Sequence, residues 1–286
     1  VSRGLGDVYK RQVYTVPSVV VENNNLKCSK VMISPLAYVD SSAKIGKNVT
    51  IHPFAYIDKN VEIGDDCEIM PHASLMSGTR MGNRNRVFNG AVIAAEPQDF
   101  FYKGGDTIAV IGDDNVIREN VVINRSSTAE GRTSIGNGNF LHEGVHVSHD
   151  TQIGNCSVFG YGSKISGNCI LEDYVIFGGN VLMSQGSRVG AWAMIQTGCR
   201  FRKDIPPFIV AAQEPTTYYG VNSFIMSHEG FSEKVIKHIS HAYRIIFQGN
   251  SSLTDALLMI KDQVPMSKEI QHIIDFVGES KLGIVK

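Results

Sequence analysis

Two histidines and an aspartate lie close together in the segment GVHVSHD, residues 144–150. An imidazole titrates near neutral pH, so His149 is suited to take a proton from a hydroxyl group and return it to a leaving group. The neighbouring carboxylate of Asp150 is suited to orient the ring and stabilise the imidazolium. Two other interpretations are open: a metal site formed by His142, His146 and His149, or a solvated surface without chemical function.

The sequence around this segment repeats with a period of six. An apolar residue recurs at every sixth position from Ile33 to Phe201, and Asp99, Gly105 and Ala129 interrupt the series. This period matches neither the helical period of 3.6 nor a simple alternation. It predicts short strands joined by tight turns and stacked as a parallel β-helix, with the repeated apolar column along its axis.

The spacing of glycines that follow the repeated residue favours three hexads per coil. We therefore predict a mainly β protein with a hexapeptide-repeat parallel β-helix, a triangular prism, over residues 32–208. Loops near 94–108 and 124–134 leave the repeat, and such loops often carry binding residues. Residues 209–286 are expected to form a connecting segment and a small C-terminal α-helical domain, with Ser232, Ser252 and Ser267 as N-caps. Residues 1–31 share no pattern with the repeat, and we expect an appended leader there.

The composition is that of an ordinary soluble globular protein, with 286 residues, 43% hydrophobic residues and a formal net charge of -1. A charge this close to zero gives no indication of nucleic-acid binding. No apolar segment approaches the length of about 20 residues that crosses a membrane. The five cysteines are odd in number and form no CxxC motif, which is typical of reduced thiols in a cytoplasmic protein.

With eighteen residues per coil, residue i lies directly below residue i+18. The register predicts one outward column that contains His149, Gly167, Gln185 and Lys203, and a second that contains His146, Lys164, Leu182 and Arg200. The Gly167 backbone N–H is then in position to stabilise an oxyanion beside the imidazole. A base, an orienting carboxylate and an oxyanion donor are the groups that acyl transfer from a thioester to a hydroxyl requires.

Several segments resemble the UDP-N-acetylglucosamine O-acyltransferases that begin lipid A synthesis in Gram-negative bacteria. The resemblance covers residues 32–286, and the segments that carry it are PQD (97–99), IGDDNVIRENVVINR (111–125), GVHVSHD (144–150), KDIPPFIV (203–210), YGVN (219–222) and GFS (230–232). It implies a left-handed prism, a cytoplasmic homotrimer and active sites between neighbouring prisms. It further implies transfer of a 3-hydroxyacyl chain from acyl carrier protein to the 3-hydroxyl of UDP-N-acetylglucosamine. No cofactor is implied, because the carrier protein brings its own phosphopantetheine thioester.

The resemblance also implies a role for individual residues. His149 would be the catalytic base, Asp150 its partner and Gly167 the donor to the oxyanion. The residues implied to bind substrate are His146 and Gln185 for the sugar nucleotide, Asp99 for substrate, and Asn222 for the uracil. No metal site is implied. The resemblance and the column argument select His149, Gly167 and Gln185 independently.

The sequence departs from the family pattern at several positions that face substrate. The departures are Phe101 for a lysine, Asn168 and Ser184 for histidines, Thr197 for a glycine that admits a long acyl chain, and His228-Glu229 for an arginine pair. Loss of two cations weakens diphosphate binding, since contacts between arginine and phosphate are strong. Three alternatives therefore stay open: an acyltransferase for a modified nucleotide sugar, a non-catalytic nucleotide-sugar-binding protein, and a prism-type zinc carbonic anhydrase.

Basic residues gather late in the repeat, at Lys164, Arg188, Arg200, Arg202 and Lys203. Acyl carrier protein is acidic, so we predict that Arg200, Arg202 and Lys203 form its docking surface. The alternative is surface charge without a binding role.

Overall fold

The computed structural model describes residues 31–249 and 251–286. Apart from Val31, the expected leader lies outside the described residues. Within the described part, short strands form three sheets, and each coil up to β24 contributes one strand to each sheet. Strands of successive coils pair in parallel. The predicted parallel β-helix with three hexads per coil is confirmed.

The first sheet, sheet A, runs the length of the prism. Its strands, as far as the described residues go, are β1 (Met32–Ile33), β4 (Thr50–Ile51), β7 (Glu68–Ile69), β10 (Arg86–Val87), β13 (Val116–Ile117), β16 (Phe140–Leu141), β19 (Val158–Phe159), β22 (Ile176–Phe177), β25 (Met194–Ile195), β27 (Ile209–Ala212) and β28 (Thr217–Val221). The last two strands extend this sheet past residue 208, the predicted end of the prism. β27 continues the parallel pairing and β28 returns antiparallel to it, so the period of six no longer applies there.

Sheets B and C form the other two faces of the prism. Sheet B contains β2 (Tyr38–Val39), β5 (Tyr56–Ile57), β8 (Ser74–Leu75), β11 (Val92–Ala95), β14 (Val122–Asn124), β17 (His146–Val147), β20 (Lys164–Ile165), β23 (Leu182–Met183) and β26 (Arg200–Phe201). Sheet C contains β3 (Lys44–Ile45), β6 (Glu62–Ile63), β9 (Thr79–Met81), β12 (Ile108–Ile111), β15 (Arg132–Ile135), β18 (Gln152–Ile153), β21 (Ile170–Leu171) and β24 (Arg188–Val189).

The repeated apolar residues fill the axis of the prism, as predicted. Ile69, Ile93, Val147 and Ile165 are completely buried. Residues at the corners of the coils take positive φ angles, for example Asp66 at 58°. Asparagine, aspartate and glycine tolerate this left-handed conformation best, which explains their frequency at the predicted corners.

The two predicted loops enlarge their coils without breaking the stack. Asn83 and Asp113, corner residues hydrogen-bonded between adjacent coils, are 30 residues apart across the first loop. Asp113 and Asn137 are 24 residues apart across the second. The spacing is 18 elsewhere, as between Asn137 and Asn155. The extra residues therefore protrude from the same corner of the prism, between sheets B and C.

A buried ladder of asparagines stabilises the interior of the prism. Asn85, Asn115 and Asn139 lie in successive coils and are at most 1% exposed. The Asn115 amide donates to Asn85 Oδ1 and to the Gly136 carbonyl, and its Oδ1 accepts the Asn139 N–H at 2.9 Å. Each side chain thus satisfies backbone groups that the narrow prism leaves unpaired.

We expect Asn115→Leu to lower the free energy of unfolding by about 3 kcal/mol, because it leaves several buried polar groups without partners. The same substitution at Asn137, an exposed corner residue, is the control and is expected to cost less than about 1 kcal/mol. Equilibrium denaturation of both variants measures the difference. Equal losses of unfolding free energy in the two variants would show that burial does not determine how much these asparagines contribute to stability.

The C-terminal part is helical, as predicted. It contains α1 (Ser223–His228), α2 (Glu233–Gln248), α3 (Leu253–Gln263) and α4 (Lys268–Gly278). The side chains of Ser232, Ser252 and Ser267 cap α2, α3 and α4, which confirms all three predicted N-caps. The short helix α1 was not predicted, because its six residues span too few turns to show a period.

Polar contacts, buried or partly buried, help to join the helical domain to the end of the prism. Tyr243 of α2 is completely buried, and its hydroxyl donates to the Pro207 carbonyl. The Asp204 carboxylate accepts from the Ser280 hydroxyl at 2.7 Å and from the Arg188 N–H at 2.8 Å. These contacts fix the last coils, which carry part of the candidate site described next.

Candidate active site

His149 and Asp150 form a hydrogen-bonded pair at a corner of the prism. His149 follows β17, is 7% exposed, and its Nδ1 lies 2.8 Å from Asp150 Oδ2. Successive side chains of a strand point to opposite faces, so adjacent residues do not normally meet. Asp150 has a φ of 59°, and this left-handed corner turns its carboxylate back toward the imidazole. The corner itself therefore assembles the predicted base and its partner.

The His149 ring lies directly against the backbone of Gly167 in the next coil. A Cβ atom placed on Gly167 would lie 2.7 Å from both Cε1 and Nε2 of the ring. Only glycine therefore fits at this position without displacing the His149 ring. Among the described residues no acceptor takes the Gly167 N–H, which leaves it available to a bound group. The predicted column of His149 and Gly167 is confirmed, while the oxyanion role remains a prediction.

The Asp150 carboxylate is held by hydroxyl groups of the second loop. Ser126 Oγ donates to Oδ1, and Ser127 donates to Oδ2 from Oγ at 2.6 Å and from its N–H at 3.3 Å. Burial on its own would raise the pKa of Asp150, but the hydrogen bonds from Ser126, Ser127 and His149 outweigh it and hold the pKa below its ordinary value. The pair thus consists of an ionised carboxylate beside an imidazole at neutral pH.

The first loop supports the second. The Arg125 N–H donates to the Ala95 carbonyl, and the Asn124 amide donates to the Glu96 carbonyl at 2.7 Å. The Arg125 guanidinium also lies 5.9 Å from the centre of the Tyr102 ring. Both insertions are consequently packed together beside the pair. Sequence reasoning identified the loops but missed Ser126 and Ser127, because serines are common in loops and their partner lies in another coil.

His146 lies in β17, and Gln185 follows β23 of the same sheet. His146 pairs with Lys164 of the next coil, and Leu182 and Arg200 continue this column as predicted. Burial, and to a lesser extent the Lys164 charge, hold the pKa of His146 below its ordinary value, so the ring is neutral at physiological pH. Gln185 is exposed beside Gly186, whose N–H donates to the Gly167 carbonyl. Their roles in substrate binding remain predictions.

The other two predicted substrate residues lie apart from each other. Asp99 is in the first loop, near the corner that carries the His149–Asp150 pair, and its carboxylate accepts the Phe101 N–H. Asn222 follows β28 of sheet A and is 3% exposed, and its amide donates to the Trp192 carbonyl at 2.9 Å. A single chain thus places His146, His149 and Gln185 in or just after strands of sheet B, and Asn222 just after a strand of sheet A.

The basic residues late in the repeat do not all lie on one face of the prism. Arg200, Arg202 and Lys203 are exposed near the end of sheet B. Arg188 belongs to sheet C, where its guanidinium lies 4.3 Å from the centre of the Phe276 ring. Including Arg188 in one basic cluster was therefore wrong.

The three histidines do not gather around a common point within one chain. His142 follows β16 of sheet A and contacts Phe140, whereas His146 and His149 belong to sheet B. Within residues 31–249 and 251–286, no three His, Cys, Asp or Glu side chains are arranged to hold a metal ion.

In the same part of the chain, Cys67, Cys156, Cys169 and Cys199 are free thiols. No helix among these described residues has the length and apolar character needed to cross a membrane.

Comparison with known proteins identifies the class and then the family. Residues 132–167 match the model described as bacterial transferase hexapeptide (six repeats). Residues 204–285 match the model described as UDP N-acetylglucosamine O-acyltransferase, domain 2. A prism of hexapeptide coils with a hydrogen-bonded histidine–aspartate pair is thus a hexapeptide-repeat acyltransferase. Its shape is the left-handed β-helix of the solved structures that it resembles.

The similarity extends over nearly the whole described chain. An acyl-[acyl-carrier-protein]–UDP-N-acetylglucosamine O-acyltransferase from Halorhodospira halophila is 37% identical over 89% of this chain and 99% of its own. The crystal structure of LpxA, a UDP-N-acetylglucosamine acyltransferase from Bacteroides fragilis, is 52% identical, with a TM-score of 0.88 over 89% of this chain and 100% of its own. The Francisella novicida enzyme is 34% identical, with a TM-score of 0.85 over 89% and 94%. The chain belongs to the acyl-[acyl-carrier-protein]–UDP-N-acetylglucosamine O-acyltransferase family.

Proposed function

We propose that the protein transfers a 3-hydroxyacyl chain from acyl carrier protein to the 3-hydroxyl of UDP-N-acetylglucosamine, the first step of lipid A biosynthesis. The observation that carries this proposal is the His149–Asp150 pair packed beneath Gly167 in a chain of this family. We place the reaction in the cytoplasm, where acyl carrier protein and nucleotide sugars meet.

The geometry supports a direct transfer without an acyl-enzyme intermediate. His149 takes the proton of the sugar hydroxyl as its oxygen attacks the thioester carbonyl. The Gly167 N–H stabilises the oxyanion that forms, and Asp150 stabilises the imidazolium. When the intermediate collapses, the phosphopantetheine thiolate leaves and takes the proton from His149. No cofactor is needed, because the thioester supplies the driving force.

We also propose a homotrimer with sites between neighbouring copies. Asn222 lies on a different sheet from His149, so one chain does not bring all the predicted substrate residues together. Phe100 and Phe101 at the tip of the first loop are 96% and 81% exposed, which is unusual for a pair of aromatic rings and fits burial against another copy.

Product analysis tests the function directly. The protein is incubated with UDP-N-acetylglucosamine and a set of 3-hydroxyacyl carrier proteins of different chain length, and products are read by mass spectrometry. A mono-acylated nucleotide sugar is expected, and the preferred donor gives the chain length. A panel of modified nucleotide sugars run in parallel identifies a different acceptor. A folded oligomer that acylates none of them would overturn the proposal and favour a non-catalytic binding protein.

We propose that the acceptor preference depends on His228, the last residue of α1, and on Glu229, its C-cap. Both are exposed, and His228 Nδ1 lies 3.0 Å from Glu229 Oε1, so a carboxylate occupies the region where an arginine pair is expected. We expect the double variant His228→Arg/Glu229→Arg to lower the KM for UDP-N-acetylglucosamine about tenfold, since charge-assisted contacts to phosphate are strong. Steady-state kinetics at low and high salt measure this effect. An unchanged KM would show that the diphosphate does not bind near residues 228 and 229.

Charge reversal tests the docking surface for acyl carrier protein. We expect Arg200→Glu/Arg202→Glu to raise the KM for the carrier-protein donor about tenfold or more, because electrostatic attraction governs such encounters. The KM for the nucleotide sugar and the melting temperature are expected to stay unchanged. Lys59→Glu is the control, because Lys59 is exposed on an early coil of the prism, far along the axis from Arg200 and Arg202. Arg84 is not suitable, because it pairs with two aspartates. An unchanged KM for the donor would remove these arginines from the docking surface.

A further inference from the structure

We infer that Ser126 and Ser127 are positioning residues that hold the Asp150 carboxylate in its contact with His149. The inference rests on the proposed acyltransferase function, since it concerns the reaction that the His149–Asp150 pair performs. It assigns a chemical purpose to the second loop, where the chain leaves the regular coil between β14 and β15.

The serines fix both oxygens of the carboxylate. The Ser126 hydroxyl, which is completely buried, donates to Oδ1. The Ser127 hydroxyl donates to Oδ2 at 2.6 Å, the same oxygen that lies 2.8 Å from His149 Nδ1. The Asp150 N–H donates to Thr133 Oγ1 at 2.8 Å, so the backbone at the corner is held as well. A carboxylate with both oxygens occupied cannot rotate away from the imidazole.

The loop is folded tightly around the carboxylate. A Cβ atom on Gly131 would lie 2.6 Å from Ser126 Oγ and 3.0 Å from Asp150 Oδ1. The Ser126 hydroxyl has one hydrogen, and its contact with Asp150 is shorter than its contact of 2.9 Å with the Thr128 carbonyl. The Ser126 hydroxyl therefore donates its hydrogen to the carboxylate, and the Thr128 carbonyl is not the principal acceptor.

Few groups around Asp150 carry charge. The titratable group in contact with it is His149, on its own coil, and the second loop contributes the hydroxyls of Ser126 and Ser127. The next coil contributes Asn168, which is neutral and exposed. Within the part of the chain that the structure describes, no cation contacts the half-buried carboxylate, so the hydroxyls are its principal stabilising partners besides His149. Their removal leaves burial to favour the protonated carboxyl, and the pair then holds its proton to higher pH.

The test compares the pH dependence of kcat for the wild type and the Ser126→Ala/Ser127→Ala variant. We expect the variant to lose about tenfold in kcat and to show an acid limb about one pH unit higher, the shift that corresponds to a tenfold change in proton affinity. The KM for the nucleotide sugar should change by less than about twofold, because the serines act through Asp150. The single variant Ser127→Thr keeps the hydroxyl, so its pH profile of kcat should match that of the wild type. Thr128→Ala removes a hydroxyl of the same loop that does not contact Asp150, and its profile should match the wild type.

The outcomes separate the inference from the proposed function. A wild-type protein that forms no product refutes the proposed function. The inference is overturned if the wild type is active and the acid limb of the kcat profile is the same in the double variant. This holds whether or not kcat itself is lowered, and the serines then have only a structural role. If the double variant does not fold, Ser127→Ala alone gives the same decision, because Ser126 still closes the loop.

Discussion

Replacement of His149 with alanine is expected to lower kcat by about a hundredfold to ten-thousandfold, the range that general-base catalysis contributes. The substituted enzyme keeps the Gly167 N–H and the rest of the binding surface, so the KM values should change little. Stopped assays with the donor preferred by the wild type measure the rate over several hours. A variant that keeps more than one tenth of the wild-type rate would show that another group accepts the proton.

His142→Ala is the matched control for this prediction. His142 lies on sheet A, and burial together with the Arg118 charge lowers its pKa, so it carries no charge at neutral pH. A general base at His149 predicts near-normal activity for this variant. A metal site shared between copies predicts a comparable loss for His142→Ala, His146→Ala and His149→Ala, together with metal in the purified protein. The same three variants therefore decide between the two chemical interpretations of the histidines.

The hexapeptide period made the core of the site predictable. A period of six with three hexads per coil fixes each residue relative to the one 18 positions later, so it predicts that His149 and Gly167 meet. The same rule shows why Arg188 does not join Arg200: twelve residues is two thirds of a coil, which moves the chain two faces around the prism. The sequence spacing by itself therefore separates the two arginines.

The parts that were not predicted lie where the period ends. The second loop shifts the register by six residues, and nothing in the sequence shows that Ser126 and Ser127 return to contact Asp150. Sheet A continues through β27 and β28 by a hairpin, which follows different rules from the coils. Loop conformation depends on contacts between residues distant in sequence, and a local pattern carries little information about them.

Gly167→Ala is expected to abolish most activity by displacing His149. The added methyl group would lie 2.7 Å from Cε1 and Nε2 of the ring, so the imidazole must move, and its hydrogen bond with Asp150 restrains that movement. Displacement of a catalytic group by about 1 Å costs about a hundredfold in rate. We expect that loss in kcat, together with a lower melting temperature.

A double variant shows whether the loss arises through His149. His149→Ala removes the ring that the new methyl group would strike, so in His149→Ala/Gly167→Ala the methyl group enters the space that the ring has left. The two substitutions should therefore be strongly non-additive: the double variant is expected to be no less active than His149→Ala and to melt higher than Gly167→Ala. Additive losses in rate would mean that Gly167 acts independently of the ring, as expected if its N–H were displaced from the oxyanion. The cycle thus distinguishes the steric requirement for glycine from its proposed role as a hydrogen-bond donor.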